Sequence, residues 1–252
     1  MQWSDTAIIL GTRRHGETSA IVELFTREHG RHLGLVRGGR SRRMQPVLQA
    51  GNGVDVVWRA RLEDHLGLLA VELTASRAAD LFAARHRLYA FQTLAAHLRL
   101  YPERDPHPDI HARLERFLDV GDDLRSLAAE LARLELHLLA DLGHGLDLSV
   151  CAATGASDDL VYVSPKTGRA VSRHAGAAYA DRLFALPRFL IDSGAAPEIR
   201  DIHAAARLAG YFLDRDLYGP RNLRPAAERD RLYAALGSGD EKGPEPKAPA
   251  RP

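Results

Sequence analysis

The sequence predicts an α+β fold in which a five-stranded oligonucleotide-binding (OB) barrel precedes an all-helical domain. Three observations support this prediction. The first 75 residues contain five short runs of apolar and β-branched residues separated by glycine-containing turns, as expected for short strands. After Thr74 the apolar period changes from two residues to about 3.6, the period of an amphipathic helix. A length of 252 residues is also sufficient for two domains.

The five expected strands account for the barrel. A turn at 15–17 separates the first two strands, and His29-Gly30 separates the second from the third. Gly38-Gly39 ends the third strand and begins an arginine-rich loop. The five-stranded OB barrel is the smallest common architecture that accommodates this pattern. The expected strands are residues 6–10, 20–26, 31–36, 54–59 and 66–73.

The helical domain begins after the fifth strand, and Ser76 is the expected N-cap of its first helix. Leucines at spacings of three and four make 124–142 the clearest amphipathic helix, and Gly143 ends it. Pro225 is a suitable first-turn residue for the last helix. The other expected helices are 81–100, 110–118, 187–192 and 199–216.

Two segments of the chain lack helical periodicity. Residues 144–176 contain several glycines and form an irregular insert with one short hairpin at 160–163. Residues 237–252 contain Gly, Pro, Glu and Lys without a large apolar residue, which predicts a disordered tail. The expected domains are therefore the OB barrel at 1–75, the helical domain at 76–236 and the tail at 237–252.

The composition is that of a soluble globular protein, with 45% hydrophobic and 27% charged residues. No window of eighteen apolar residues predicts a membrane span, and the N-terminus has no secretory pattern. A single cysteine, Cys151, cannot form an internal disulfide, which fits a reducing cytosol. We therefore expect a cytoplasmic protein without membrane contact.

The charge of the chain is unevenly distributed. Residues 1–61 hold ten arginines against five acids, and residues 29–54 hold five arginines and no acid. A basic module of this kind indicates a polyanionic partner, although a solvated basic surface without a partner explains the same charge.

Sequence motifs of enzymes are absent. There is no phosphate-binding Walker sequence, no Gly-x-Ser-x-Gly and no His-Glu-x-x-His, and Lys166-Thr167-Gly168 lacks the companion motifs of β-lactamases. His107 and His111 share one helix face, but two histidines alone do not make a metal site. We expect no catalytic residue, no cofactor and no metal.

The arginine-rich loop Arg37-Gly38-Gly39-Arg40-Ser41-Arg42-Arg43 is the strongest local feature. Guanidinium groups make forked hydrogen bonds to phosphate, and glycines allow the backbone to approach a ligand closely. Arg13 and Arg14 follow the first strand and add to the same positive charge. Trp58 and Phe25 are available for base stacking, but both are equally suited to the core.

Several motifs together resemble the bacterial RecO family of DNA repair and recombination mediators, over residues 1 to about 236. In the helical domain the matching motifs are Leu134-Glu135-Leu136, Leu146-Asp147-Leu148-Ser149 with Cys151, and Tyr162-Val163-Ser164-Pro165-Lys166 with Gly168-Arg169-Ala170-Val171. In the first domain they are Gly16-Glu17, Ile21-Val22, Leu24-Phe25-Thr26, Glu28, Gly30-Arg31, Gly34, and Val36-Arg37-Gly38-Gly39-Arg40.

The resemblance implies an N-terminal OB-fold, a helical domain and a non-enzymatic role in the RecF pathway. It implies binding of single- and double-stranded DNA, annealing of complementary strands, and contacts with RecR and with the single-strand-binding protein (SSB). It also implies that the protein helps RecA to load onto SSB-coated single-stranded DNA.

The chain departs from the resemblance at one module. Many relatives carry two Cys-x-x-Cys pairs that bind zinc. Here the first pair reads Cys151-x-x-Thr154, and the second falls near Ser172-x-x-Ala175. A site can be drawn from Cys151 with His144, His174 and Asp158, but its spacing resembles no paired zinc knuckle. We therefore expect an insert without zinc.

These observations favour a DNA-binding repair mediator associated with the nucleoid. A protein-interaction scaffold and an RNA-binding OB-fold factor remain as alternatives. The helix at 124–142 carries Arg125 and Arg133 beside its leucines, and we expect these to bind the acidic C-terminal tail of SSB. The expected DNA contacts, mainly to phosphates, are Arg13, Arg14, Arg31, Arg37, Arg40, Arg42 and Arg43.

Overall fold

The computed structural model describes residues 1–192 and 194–237. Its contacts divide the chain into two compact units, Met1–Asp122 and Asp123–Pro252. The expected boundary between the first two domains, at 75/76, stays a prediction. The expected tail, 237–252, lies outside the described residues except for Gly237.

The first unit contains a closed barrel with the strand order β1-β2-β3-β5-β4, in which β4 pairs with β1. All neighbouring strands are antiparallel except β3 and β5, which are parallel. This closed arrangement of five strands confirms the predicted OB-fold. The strands are β1 (Gln2–His15), β2 (Ser19–Thr26), β3 (Arg31–Val36), β4 (Gly53–Arg59) and β5 (Leu68–Ala75).

Strand β1 is much longer than the predicted strand at 6–10, because it pairs with two partners in succession. Residues 2–8 pair with β4, and residues 7–15 pair with β2. A shift of register between Ile9 and Gly11 interrupts the second pairing. Such an irregularity bends a strand and increases its twist, which allows one strand to close a barrel. The end of β1 and the start of β2 therefore form a hairpin.

The interior of the barrel follows from the alternation of side chains along each strand. Gly34 of β3 lies where β3 meets β5, and a Cβ atom there would lie 2.4 Å from the Leu69 side chain. Glycine therefore permits this pairing. The buried core residues are Ala7, Ile9, Ala20, Val22, Leu24, Val36, Leu48, Val54, Val56, Trp58 and Leu69.

Three helices complete the first unit: α1 (Ala78–Ala83), α2 (Arg85–Leu98) and α3 (Pro108–Leu118). The single helix expected at 81–100 is wrong, since Ala84 has an extended backbone and separates α1 from α2. The N-cap of α1 is Arg77 and not Ser76, and it makes no side-chain cap hydrogen bond. The ring of Phe25 lies 5.9 Å from that of Tyr101, which follows α2, and 6.4 Å from that of His111 in α3, so these two residues cover the outside of β2.

The second unit begins with α4 (Leu124–Asp141), whose N-cap Asp123 accepts a hydrogen bond from the Ser126 amide at 2.8 Å. The prediction of this helix is confirmed. Leu131, Leu134 and Leu138 of its leucine stripe are buried. The later helices are α5 (Arg173–Gly176), α6 (Ile199–Phe212), which continues into a π-helical turn (Leu213–Tyr218), and α7 (Ala227–Ala235).

The irregular insert contributes a small antiparallel sheet to the second unit. The segment expected as a hairpin is its central strand, β6 (Leu160–Val163), between β7 (Ala170–Ser172) and β8 (Phe184–Ala185). Strand β8 lies beyond the insert's expected end at residue 176, so the ordered sheet is larger than the sequence predicted. Pro225 precedes the N-cap Ala226 and is not a first-turn residue of α7.

Candidate nucleic-acid interface

A groove of about 780 Å³ lies between the β1–β2 hairpin and the segment that joins β3 to β4. We call it the loop groove. The hairpin contributes side chains from the end of β1 and from the turn, and the connecting segment contributes the opposite wall. The residues that line it are Thr12, Arg14, Glu17, Thr18, Ala20, Gly38, Gly39, Arg40, Ser41, Gln45, Leu48, Gln49 and Ala50.

The connecting segment is held in place by its own hydrogen bonds and by the barrel. Leu48 is buried in the barrel core, and its carbonyl accepts a hydrogen bond from the Thr12 hydroxyl at 2.8 Å. The buried Asn52 side chain donates to the carbonyls of Pro46 and Val47 and accepts from the backbone amides of Arg77 and Ala78. These bonds pre-organise the segment, which lowers the entropy cost of binding a ligand.

Arg40 connects the two walls of the loop groove. Its Nη1 donates to the carbonyls of Gly16 and Glu17 at 3.1 and 2.6 Å, and its backbone amide donates to the Thr18 carbonyl at 3.0 Å. Gly16 has a φ of +59°, a left-handed conformation that favours glycine. Arg40 therefore positions the hairpin turn, and its expected contact with phosphate stays a prediction.

Four of the expected DNA contacts are exposed arginines. Arg14 lines the groove, and Arg37, Arg42 and Arg43 flank the lining residues 38–41 in the sequence. Within residues 1–192 and 194–237, none of the four has an ion-pair partner. Among the described residues, Glu17 is the one acid that lines the groove. The positive charge is thus free to attract an anionic backbone, because unpaired exposed cations keep their field in solution.

Arg13 and Arg31 lie apart from the loop groove. Arg13 lines a second, smaller cavity on the other face of β1 together with Arg99, a residue that the sequence analysis missed. Arg31 is largely buried, with its Nη1 3.1 Å from Glu23 Oε1 and its Nη2 3.4 Å from Glu103 Oε1. These bonds tie Arg31 into the fold. The sequence carried no signal for Arg99, because it ends a helix far along the chain from β1.

The two candidate aromatic residues belong to the core. Trp58 is 1% exposed and donates from Nε1 to the Leu66 carbonyl, and Phe25 is fully buried. No aromatic residue of the described ranges 1–192 and 194–237 lines the loop groove. This arrangement favours contacts to the sugar-phosphate backbone over base stacking, and such contacts position a nucleic acid without reading its sequence.

The two arginines of α4 differ in their surroundings. Arg125 is exposed. Arg133 donates from Nε and Nη2 to the Phe189 carbonyl at 3.2 and 3.1 Å, lies over the Phe189 ring and pairs with Glu130. The leucine stripe beside them is buried and packs in the unit's own core.

The insert brings together Cys151 and Ser172, the first positions of the two Cys-x-x-Cys pairs that the resemblance implies. The Cys151 Sγ accepts a hydrogen bond from the Ser172 amide at 3.2 Å and lies 3.5 Å from the Ser172 hydroxyl oxygen. Hydrogen bonds from the Ser172 and Thr154 side chains lower the pKa of the Cys151 thiol to about 6. One thiolate beside two hydroxyls is a poor donor set for zinc. The absence of zinc stays a prediction.

Candidate metal clusters and membrane-spanning helices are both absent from the described part of the chain. No cluster of three or more His, Cys, Asp or Glu side chains there is arranged to hold a metal ion. No helix among the described residues is both long and apolar enough to cross a membrane.

A closed five-stranded barrel with an arginine-lined groove, followed by a largely helical unit, defines an OB-fold protein of two units. Two family models match the chain: "Recombination protein O N terminal" over residues 1–77 and "Recombination protein O C terminal" over residues 85–225.

Curated relatives match almost the full length. The DNA repair protein RecO of Rhizobium leguminosarum bv. trifolii is 56% identical over 236 residues, which cover 93% of this chain and 92% of the relative. The RecO protein of Methylobacterium nodulans is 54% identical over 95% of this chain and 99% of the relative. That of Agrobacterium fabrum is 53% identical over 98% of this chain and 98% of the relative. The chain belongs to the RecO family of DNA repair proteins.

Proposed function

We propose that this chain is a non-catalytic mediator of DNA repair and recombination that binds single- and double-stranded DNA through the loop groove. The observation that carries this proposal is the set of four exposed arginines, Arg14, Arg37, Arg42 and Arg43, without ion-pair partners in the described residues. Neutralising phosphates with arginine releases condensed counterions, which supplies affinity for any sequence.

Charge neutralisation also accounts for strand annealing. Two complementary strands repel each other through their phosphates, and this repulsion slows pairing at low salt. A basic surface that holds a strand by its backbone leaves the base edges free, because phosphate contacts do not occupy them. In the RecF pathway such a protein, together with RecR, would help RecA to load onto SSB-coated single strands in the cytoplasm, at the nucleoid.

A salt series tests the DNA-binding proposal. We expect Arg42→Gln/Arg43→Gln to weaken binding of all single-stranded sequences and to flatten the dependence of log affinity on log salt by about 1.4, at about 0.7 per lost contact. The matched control is Arg85→Gln/Arg116→Gln, which removes two exposed arginines from α2 and α3. Equal affinity and slope in the folded loop-groove variant would contradict the proposal.

The same series separates the alternative functions. RNA of equal length that binds much more tightly than either form of DNA would favour an RNA-binding factor. Absence of salt-dependent binding to all three nucleic acids would favour a protein-interaction scaffold.

We further propose that Arg125, and not Arg133 alone, contributes to binding the acidic SSB tail, because Arg125 is exposed and Arg133 already bonds Phe189 and Glu130. Calorimetry of the tail peptide with Arg125→Ala and Arg133→Ala proteins tests it. We expect the first change to weaken binding, and full-strength binding by that variant would contradict the role.

A further inference from the structure

Arg13 and Arg14 are adjacent in the sequence but lie on opposite faces of the β1–β2 hairpin. Arg13 pairs with Ile21 in the register, and Arg14 pairs with Ala20. Side chains alternate between the faces of a strand, so consecutive residues point to opposite sides. Arg14 accordingly lines the loop groove, whereas Arg13 lines the second cavity.

This second cavity, which we call the hairpin cleft, has a volume of about 260 Å³. Its floor is apolar, with Ile21 and Leu33, and its charged residues are two arginines and one glutamate. The residues that line it are Gly11, Thr12, Arg13, Ile21, Glu23, Leu33 and Arg99.

The glutamate of the hairpin cleft is already neutralised. Glu23 Oε2 lies 2.8 Å from Arg99 Nη2, and Glu23 Oε1 lies 3.1 Å from Arg31 Nη1. Arg99 remains about half exposed despite this pair. Arg13 is exposed and has no ion-pair partner in the part of the chain that the structure describes. The cleft therefore presents positive charge to the solvent although it contains an acid.

Gly11 leaves space for the guanidinium of Arg99 beside the hairpin. A Cβ atom at position 11 would lie 3.3 Å from Arg99 Nη2, which is closer than an ordinary van der Waals contact. The absence of a side chain at the irregularity in β1 therefore lets the guanidinium of Arg99, at the C-terminal end of α2, lie against the hairpin beside Arg13.

We propose that the hairpin cleft binds the sugar-phosphate backbone of a second nucleic-acid strand while the loop groove binds the first. This inference rests on the proposed function of the loop groove and extends it. The two strands lie on opposite faces of one hairpin, and each backbone contacts its own arginines. Annealing then requires only that strands already held by the same chain pair with each other, which makes pairing effectively intramolecular.

Binding of a short oligonucleotide tests the stoichiometry. The probe is a single strand of about eight nucleotides, within the ~4–16 nucleotides that one OB-fold covers. Titration of the full-length protein at low salt, followed by native mass spectrometry, counts the strands per chain. We expect two bound strands per chain for the unchanged protein and one for the Arg13→Gln/Arg99→Gln variant. The variant should lose about tenfold or more in second-strand affinity, as expected for loss of a charged contact, and should keep the affinity of the first strand.

Annealing of two fluorescently labelled complementary strands provides the second readout. We expect Arg13→Gln alone, which breaks no ion pair, to slow annealing and to leave the affinity of the first strand unchanged. We expect Arg85→Gln/Arg116→Gln to change neither. One short strand per unchanged chain, with annealing insensitive to Arg13→Gln, would overturn the inference and leave the proposed function intact. Binding of one short strand per chain, together with weaker binding of a long strand by the Arg13→Gln variant, would also overturn it, because one strand would then contact both faces of the hairpin. No binding at all would overturn the proposed function.

Discussion

His32 is a buried, unpaired titratable group inside the barrel unit. It is 2% exposed, and neither ring nitrogen has a hydrogen-bond partner within the described residues. The rings of Trp3 and Trp58 lie edge-on at 5.0 and 5.2 Å. Burial, with smaller effects of Arg104 and His29, lowers the pKa of His32 from 6.5 to about 4.

We expect the free energy of unfolding to fall as the pH decreases from about 6.5 to about 4. In this window the unfolded chain binds a proton at His32 and the folded chain does not, so stability rises with pH. The full effect of one group with this shift is about 3 kcal/mol. Urea unfolding across this pH range should show a smaller pH dependence in His32→Phe than in the unchanged protein. Replacement of the exposed His65 by Phe serves as the control, and equal pH dependence in all three proteins would contradict the prediction.

At the scale of elements, one buried ion pair joins three helices of the second unit. Arg229 of α7 donates from Nε and Nη2 to the two carboxylate oxygens of Glu135 of α4, at 2.7 and 2.8 Å. Nη2 also donates to the Ala206 carbonyl of α6 at 2.7 Å. Glu135 is fully buried and Arg229 is 8% exposed. The pair raises the pKa of Arg229 further above its usual range, against the opposing effect of burial.

Removing one partner of this pair should be costly because the other charge stays buried. We expect Glu135→Gln to lower the free energy of unfolding by about 3–5 kcal/mol, whereas Glu135→Leu/Arg229→Met should recover most of this loss. The control is Glu228→Gln, which breaks an exposed pair with Arg231 and should cost less than about 1 kcal/mol. Chemical unfolding measures all three. A loss below 1 kcal/mol in Glu135→Gln would show that the pair does not stabilise the unit.

The insert is stabilised by backbone hydrogen bonds where a metal-bound module would use ligands. Two of these hydrogen bonds connect its two ends. The Asp147 amide donates to the Gly168 carbonyl at 3.1 Å, and the Ala170 amide donates to the Asp147 carbonyl at 2.8 Å. Val163 and Cys151 are buried beside them. The insert thus has a small core of its own.

We expect protein purified without a metal-affinity tag to contain no stoichiometric zinc and to melt at the same temperature with and without a chelator. Cys151→Ser should cost about 1 kcal/mol, the net value of a typical hydrogen bond, because it replaces no metal ligand. Elemental analysis and thermal melting measure these quantities. Zinc near one equivalent, with a lower melting temperature in chelator, would contradict the prediction.

At the scale of the whole molecule, the chain consists of two compact units that meet in sequence at residue 122. The barrel and α1–α3 belong to the same unit, since Phe25 on the outside of β2 packs on Tyr101 and His111. The N-terminal family model, by comparison, ends at residue 77.

We expect a fragment of residues 1–122 to unfold cooperatively and to keep the salt-dependent affinity for DNA. A fragment of residues 1–77 exposes the ring of Phe25, and burial of such a side chain contributes about 1.5–3 kcal/mol. The shorter fragment should therefore have a lower melting temperature. Circular dichroism melts and the salt series measure both properties. Equal stability of the two fragments would mean that the helices contribute nothing to the barrel.

The sequence by itself determined the five strands, the helices at 110–118 and 124–142 and the basic character of the first unit, because these depend on periodicity and composition over a few residues. It missed the break at Ala84, since both sides of it have the same helical pattern. The resemblance to the family was likewise contained in the order and spacing of short motifs.

Only the tertiary structure showed which arginines bond within the fold and which stay exposed. Arg31, Arg40 and Arg133 bond groups within their own units, whereas Arg14, Arg42 and Arg43 remain exposed. Arg99 hydrogen-bonds Glu23, which lies 76 positions away in the sequence, and Arg133 hydrogen-bonds Phe189, which lies 56 positions away. An arginine is free or bound according to which carboxylates and carbonyls the folded chain brings within about 3 Å. Local patterns do not contain those long-range partners, so the sequence alone did not separate the arginines that bond within the fold from those that stay exposed.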